Sequence, residues 1–385
     1  MNRDADVVIG GAGIAGLALA GLLAREGRSV VLVDKAPPPR DRVCGEGIMP
    51  MGVAVLRELG LEPESIPGHD FQGLEFHTAR TVARVPFRPG RNGRGIRRTT
   101  LVEALQGTVR DRPTVTAVRD DLTGPVWEKG RIVGLEGRLG RYRGDAVVAA
   151  DGARSSLLRK AGMRFHERGY RMGLRLHFAL PRPLEMEWVR VGLFSPWDVY
   201  VTPVSEGELL ATTMCDRAAY RRIVTDYPGF LASTPFASLF AGARPASRPL
   251  AWHHPLFVPE RFTAGGMLAV GDAGGGIDPC LGTGVSFALA TAREAARAVA
   301  AILDCPAGRP EAENAFEAWR AGLFRHYALF DTVFRSLVTS PFGSEALVWG
   351  MRHWPGTAAA ITRIVAENAP WHTFPWSSLL RPSWN

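Results

Sequence analysis

Lysine is nearly missing from this chain. Lys35, Lys129 and Lys160 are the only three among 46 basic residues, so the net charge of +8 rests on arginine. The arginines are scattered and not interleaved with aromatics, which excludes the footprint of a nucleic-acid binder. They read either as a bias of genome composition or as attraction to anionic ligands or a lipid surface. Cysteine is scarce too. Cys44, Cys215, Cys280 and Cys305 form no CxxC pair, which leaves no zinc motif and no dithiol motif. Reduced thiols and a cytoplasmic location are the expectation. No HExxH occurs, and the adjacent His253 and His254 diverge on a strand, so no metal is expected. No apolar run is long enough to cross a bilayer. Ile14–Ala24 is interrupted by Gly16 and Gly21 and follows a strand and a glycine turn, which separates it from a signal-peptide core.

The chain has 385 residues, 46% hydrophobic and 22% charged, with 43 glycines and 28 prolines. That length accommodates two closely packed domains. Asp6–Gly10, β-branched at Val7, Val8 and Ile9, reads as a buried parallel strand. Ile14–Glu26 reads as an Ala- and Leu-rich helix stopped by Gly27, and Ser29–Asp34 as a second buried strand. Together they make one βαβ unit. Beyond an extended loop at Pro37–Pro39, helices are expected at Gly52–Leu59 and Thr99–Gly107. Gly130, Gly134, Gly137 and Gly140 punctuate two strand pairs between Val115 and Val148, read as hairpins. Ala146–Ala150 should return to the first sheet. From Arg171 to Trp252 polar and apolar residues alternate, as in an antiparallel sheet with one solvated or ligand-facing side. Met267–Val270 is another buried strand, Gly284–Leu303 a long apolar helix, and Pro310 onward is helical.

The fold class is therefore α/β: a Rossmann-like dinucleotide domain, an inserted antiparallel-sheet substrate domain and a helical C-terminal tail. The expected boundaries are 1–75 and 76–165 for the first two parts of the dinucleotide domain, the second with the hairpin strands. Residues 166–257 form the substrate sheet, 258–308 the third part, and 309–385 the C-terminal helical region.

Gly11-Ala12-Gly13-Ile14-Ala15-Gly16 is a GxGxxG run directly after a strand and directly before a helix. The first glycine makes the turn, the second admits a pyrophosphate, and the third lets helix and strand pack closely. The helix N-terminus then faces the phosphates. Asp34, followed by Lys35, ends the second strand 18 residues after Gly16, close to the ~20 residues expected for an acid that binds a ribose diol. A dinucleotide is implied, but this motif does not separate NAD from FAD.

Three further segments do. Ala150-Asp151-Gly152-Ala153-Arg154-Ser155 resembles the "DG" segment of flavoprotein monooxygenases. Gly271-Asp272-Ala273, with Asp278-Pro279-Cys280-Leu281-Gly282-Thr283-Gly284, resembles their "GD" segment. Arg98-Thr99-Thr100-Leu101 with Leu105 resembles the helix whose arginine reaches the flavin. Over roughly residues 6–300 the chain is similar to the p-hydroxybenzoate hydroxylase-like superfamily of FAD-dependent oxidoreductases, which includes aromatic monooxygenases, geranylgeranyl reductases and halogenases. The resemblance implies FAD as cofactor and NAD(P)H as electron donor. It places Arg98, Asp151, Gly271, Asp272, Pro279, Gly282, Thr283, Gly284 and Val285 at the cofactor, with Asp272 at a ribityl hydroxyl. The loop Asp41-Arg42-Val43-Cys44-Gly45 passes near the flavin in relatives, so Arg42, Cys44 and Gly45 join the set. The family commonly has an arginine where this chain has Leu158, and Arg159 stands one position late.

Departures narrow the branch. Where halogenases carry Trp-x-Trp-x-Ile-Pro, this chain has Asp198-Val199-Tyr200-Val201-Thr202-Pro203, and it has no lysine between Lys35 and Lys129. Geranylgeranyl reductases favour Tyr-x-Trp-x-Phe-Pro there, again a poor match. What remains is a monooxygenase using flavin C4a chemistry on a hydrophobic aromatic, polyketide or lipid-like compound. The alternative is a reductase of a prenyl or polyene chain. With no second GxGxxG, NAD(P)H would bind transiently. Tyr200, Thr202 and His177 are candidate substrate-positioning residues, with Trp188 and Thr213 as further contacts. Trp349, Trp354, Trp371, Trp376 and Trp384 alternate with Arg352, His353, Arg363, His372 and Arg381 in the tail. That composition reads as an interfacial, membrane-contacting segment or as a helical lid.

Overall fold

The structure is a computed structural model in which residues 3–367 are described, apart from Pro37 and Ile277. Trp371, Trp376 and Trp384, with His372 and Arg381, lie outside the described residues. Ala5–Gly10 pairs in parallel with Val30–Asp34 on one side and with Arg141–Ala149 on the other. Val115–Arg119 and Met267–Ala269 extend the same parallel sheet outward. Ala5–Gly10, Val30–Asp34 and residues 146–149 are apolar and buried because helices cover the sheet there, whereas the outer strand Val115–Arg119 is largely exposed. Helix Ile14–Arg25 packs against Gly284–Asp304 and Arg98–Arg110, and all three share one core with Val7, Ile9, Leu32 and Val148.

The hairpin reading needs one correction. Leu122–Glu128 and Arg131–Gly137 are a true hairpin, turned by Lys129 and Gly130 with φ of +48° and +77°, the two-residue turn whose twist suits antiparallel strands. Val115–Arg119 is in no hairpin. It takes the outer parallel position beside Val30–Asp34.

The second sheet runs through Phe165–Ala179, Glu208–Cys215, Trp197–Ser205 and Trp188–Leu193, with Leu250–Pro259 on the far side of the first. It also takes in Gly73–His77 and Val82–Pro86, strands that the boundaries 1–75 and 76–165 assigned to the dinucleotide domain. Gly73–His77 pairs in parallel with Trp188–Leu193, so the sheet is mixed rather than purely antiparallel. Gly73–His77 meets Trp188–Leu193 across about a hundred residues of chain and brings its hairpin partner Val82–Pro86 with it, and local patterning carries no information on that pairing. One face of the sheet, with Leu174, Leu176, Val199, Val201, Leu209 and Ala211, packs on short helices at Arg217–Ile223 and Tyr227–Ala232. The other face is left for a cavity.

The described part of the tail is helical as expected: Arg309–Val338, Pro341–His353 and Pro355–Glu367. These helices lie over the cavity face of the second sheet, sharing a core with Phe76, Val85, Val191 and Tyr200. Among the described residues no helix is long and apolar enough to cross a membrane.

Gly16 shows how tightly the first unit is closed. A Cβ there would stand 1.9 Å from the carbonyl oxygen of Gly11. Gly16→Ala should therefore destabilise the apoprotein by about 1–3 kcal/mol, measured as a lower midpoint in urea. A native midpoint would show that the turn can open without cost.

Candidate functional site

A single cavity of about 640 Å³ runs between the two sheets and the C-terminal helices. At one end lies the glycine turn. Gly11 has φ +114°, and a Cβ on it would meet the Ala150 carbonyl at 2.3 Å, whereas a Cβ on Gly13 would meet nothing within 4 Å. Gly13 thus opens onto the cavity, a cradle that a side chain would fill. It also precedes helix Ile14–Arg25, whose N-terminus has no side-chain cap and no acid in its first turn. A second helix, Gly284–Asp304, begins at Thr283 on the same cavity, again without a side-chain cap or first-turn acid. Gly13, Ile14, Ala15, Thr283, Gly284 and Val285 all line the cavity, so both helix ends present free N–H groups and positive dipole ends to it.

Cations gather between them. Lys35, Arg40, Arg42, Arg98 and Arg154 line the same end. Burial, then the neighbouring Arg40 and Arg98, hold the Arg42 pKa below its ordinary value. The Nε of Arg98 is buried without a hydrogen-bond partner. Arg154 sits at φ +64°, an unusual conformation for a residue with a side chain. An anionic, elongated ligand fits these groups: it would meet both helix ends and the crowded guanidiniums.

The acids have more structural work than the sequence suggested. Asp34 Oδ2 accepts from Ala12 N at 2.8 Å and pairs with Arg40 at 2.6 Å, and Oδ1 accepts from Ala36 N at 3.0 Å. It braces the glycine turn while facing the cavity. Asp151 Oδ2 accepts from Ser156 N at 2.8 Å and Leu157 N at 3.2 Å, its Oδ1 is buried without a partner, and burial raises its pKa. Asp272 lines the cavity on a turn that starts at Gly271, φ +57°. Ala12, Gly45, Pro279 and Gly282 line it as well, as does Cys44, whose thiol pKa is raised by burial. Gly16 does not face the cavity; it is a packing position.

The loop from Asp278 to Gly282 is clamped from the second sheet. Arg171 Nη2 donates to Asp198 at 2.7 Å and Nη1 to Asp278 at 3.4 Å. Burial pushes the Asp198 carboxyl up to about 6, with Arg171 opposing. Asp278 Oδ1 accepts from Cys280 N at 3.0 Å, and Tyr200 donates its hydroxyl to Cys280 O at 3.0 Å. Tyr200 and Thr202 do line the cavity, but the Tyr200 hydroxyl serves this loop.

Three expected substrate contacts fail. His177 is buried outside the cavity: Nε2 meets Glu46 at 2.7 Å and Nδ1 meets Arg175 at 2.7 Å. It shares the face of Thr212 but lies farther along the strand, covered by Glu46. Thr213 points to the opposite face and meets Tyr227 at 2.9 Å. Trp188 also faces away, under Arg84. Arg159 lies over the Phe165 ring rather than at the cavity, so no family role passes to it. The residues that stand there instead include Thr212 and Met214, alternate positions of Glu208–Cys215, and Leu74 and Phe76 from the misassigned strand. Strand alternation in Glu208–Cys215 could have found the first two. Phe334, Leu337, Leu347 and Met351 come from the C-terminal helices and carried no signal.

Among the cavity residues contributed by the second sheet and these helices, none is Asp, Glu, Lys or Arg. The cavity is polar and cationic at one end and apolar at the other. No described cluster of His, Cys, Asp or Glu could hold a metal ion.

Residues 4–190 match the family model described as FAD binding domain. The chain is 29% identical over 370 residues to the menaquinone reductase of Mycolicibacterium smegmatis, covering 88% of this chain and 84% of that one. It is 26% identical over 313 residues to the squalene monooxygenase of Rattus norvegicus, covering 74% of this chain and 53% of that one. In fold it is similar to the flavin-dependent brominase Bmp2, with a TM-score of 0.83 at 19% identity, covering 98% and 97% of the two chains. The chain carries an FAD binding domain over residues 4–190.

Proposed function

We propose that the cavity holds FAD lengthwise and that the chain is a monooxygenase of a hydrophobic, lipid-like or polycyclic aromatic molecule, using NAD(P)H and O2. The observation that carries this is the change in the cavity along its length, from cations and helix N-termini to an uncharged apolar chamber. Gly11–Ala15 and the N-terminus of Ile14–Arg25 would take the pyrophosphate, with Arg42 and Arg98 beside it. Asp34 would take a ribose hydroxyl and Asp272 a ribityl hydroxyl. Gly282–Val285 would face the ring edge that gains negative charge on reduction. The flavin supplies the redox chemistry, and the apolar wall orients the substrate and excludes water. Thr202 and Thr212 are the polar groups best placed to orient an uncharged oxygen on that substrate.

A second reading is a reductase of a prenyl or polyene chain, favoured by the likeness to a menaquinone reductase over most of the chain. Oxygen separates the two. The monooxygenase consumes O2 in step with product and stops under anaerobic conditions. The reductase turns over an alkene anaerobically, and such turnover would displace the first reading.

Helix Pro341–His353 has two apolar sides. Leu347 and Met351 line the cavity. Phe342, 85% exposed, and Trp349, 47% exposed, face outward beside Arg352. Spaced i and i+7, they share one side of the helix. An anionic lipid surface would meet that side and deliver an apolar substrate to the inner one. Flotation with anionic liposomes should be strong for the native chain and weak for Phe342→Glu with Trp349→Glu. Equal behaviour of the two removes the membrane from the proposal.

Gly13→Val tests the cofactor placement. Its side chain would enter open space, so the apoprotein should unfold within about 1 kcal/mol of native while FAD uptake, followed by visible absorbance, is lost. Full flavin content in that variant would overturn the placement.

A further inference from the structure

Helix Arg309–Val338 contributes one residue that the reading above leaves unexplained. Arg320 is 0% exposed, the largest class of side chain to be fully buried here along with Arg175. Its Nη2 donates to the carbonyls of Gly271 at 3.1 Å and Gly274 at 3.0 Å. Its Nε and Nη1 are buried with no hydrogen-bond partner among the described residues. Two aromatic faces enclose it: the guanidinium carbon lies 4.2 Å from the Phe287 ring centre and 4.9 Å from that of Phe262. Asp272 and Glu317 act on it electrostatically, but no carboxylate stands within ion-pair distance among the described residues. Burial outweighs both acids and brings its pKa down to about 9.

A buried cation without a counter-ion is strongly unfavourable. Ring faces and carbonyls offset part of that. They do not explain why a methionine or leucine, which would fill the same space without a charge, is absent. The position suggests what the charge is for. Gly271, Asp272 and Phe287 all line the cavity, so one turn and one ring separate Arg320 from the ligand space. Phe287 lies in the first turn of Gly284–Asp304, whose uncapped N-terminus opens at the same place. The arginine therefore adds its field to that of the helix end. Gly274 leaves room for it: a Cβ there would stand 3.0 Å from Nη2.

We propose that Arg320 is a positioning residue for the flavin, which fixes the Gly271–Gly274 turn and supplies a buried positive charge that favours the reduced cofactor. This rests on the reading that the cavity holds FAD. Transfer of a hydride adds two electrons and one proton, leaving the ring system one charge more negative, and a fixed cation behind Phe287 stabilises that state relative to the oxidised one.

The test is the midpoint potential of the bound flavin, by spectroelectrochemistry, in the native protein and in Arg320→Lys, Arg320→Met and Arg320→Gln. The neutral variants should favour reduced flavin about tenfold less, a fall of about 30 mV for a two-electron couple. The lysine variant should stay near the native value. A purely structural role would lower the unfolding midpoint and leave the potential alone, so an unchanged potential in either neutral variant that keeps its flavin overturns the proposal. A lysine variant that falls as far as the neutral ones overturns it too. Flavin lost from both neutral variants but kept with lysine supports it, while loss from all three counts against it, since charge would then not suffice. A native protein that is colourless and takes up no FAD sinks the cofactor reading itself, a different outcome from any of these.

Discussion

Two helix N-termini open on one cavity and neither is capped. Ile14–Arg25 starts at Gly13 and Gly284–Asp304 at Thr283, with no side chain to accept their first N–H groups and no acid in either first turn. Left to themselves such ends carry unmet donors and partial positive charge. The surroundings deepen the imbalance, since Arg42 and Arg98 crowd the same space and the Nε of Arg98 has no partner. A protein keeps such an arrangement when an anionic ligand completes it. The glycines follow from that need. Gly13 must leave space for the ligand, Gly11 must turn the chain under Ala150, and Gly16 must let the helix close on the turn.

The second sheet completes the site from the other side. Arg171 reaches across from Phe165–Ala179 to hold Asp278, while Asp198 on Trp197–Ser205, beyond the intervening strand Glu208–Cys215, shares the same guanidinium. Arg335, near the end of Arg309–Val338, stands 3.6 Å from Asp278 as well. Tyr200 fixes Cys280 through its carbonyl. The loop that would lie against the flavin is thus tied to the sheet that would hold the substrate and to the helices that cover it.

The C-terminal helices join the two halves of the site in another way. Phe334, Leu337, Leu347 and Met351 close the apolar chamber, and Arg320 of the same region reaches beneath the Gly271–Gly274 turn. The region that reads in sequence as a lid or an interfacial segment would thus form part of both a substrate wall and a cofactor floor.

The glycine turn and Asp34 were legible because each depends on local chemistry: a turn that admits a phosphate needs glycine, and a ribose diol calls for an acid at a set distance along the chain. Arg98 and the Gly271–Gly284 segment were placed by resemblance to a known family. Tyr200 and Thr202 were legible for a local reason too, since alternation along one strand sets a common face. His177 misled because alternation gives the face of a strand and not how far along it the cavity extends; Glu46 fills the space beside it. Gly73–His77 and Val82–Pro86 were assigned to the wrong sheet because pairing over long separations leaves no trace in a single strand. By itself the sequence determined the βαβ unit, the FAD signature and the common face of Tyr200 and Thr202. Only the tertiary structure decided which distant residues close the cavity, and why Arg320 is buried with no counter-ion among the described residues, because both depend on surfaces that meet after the chain has folded.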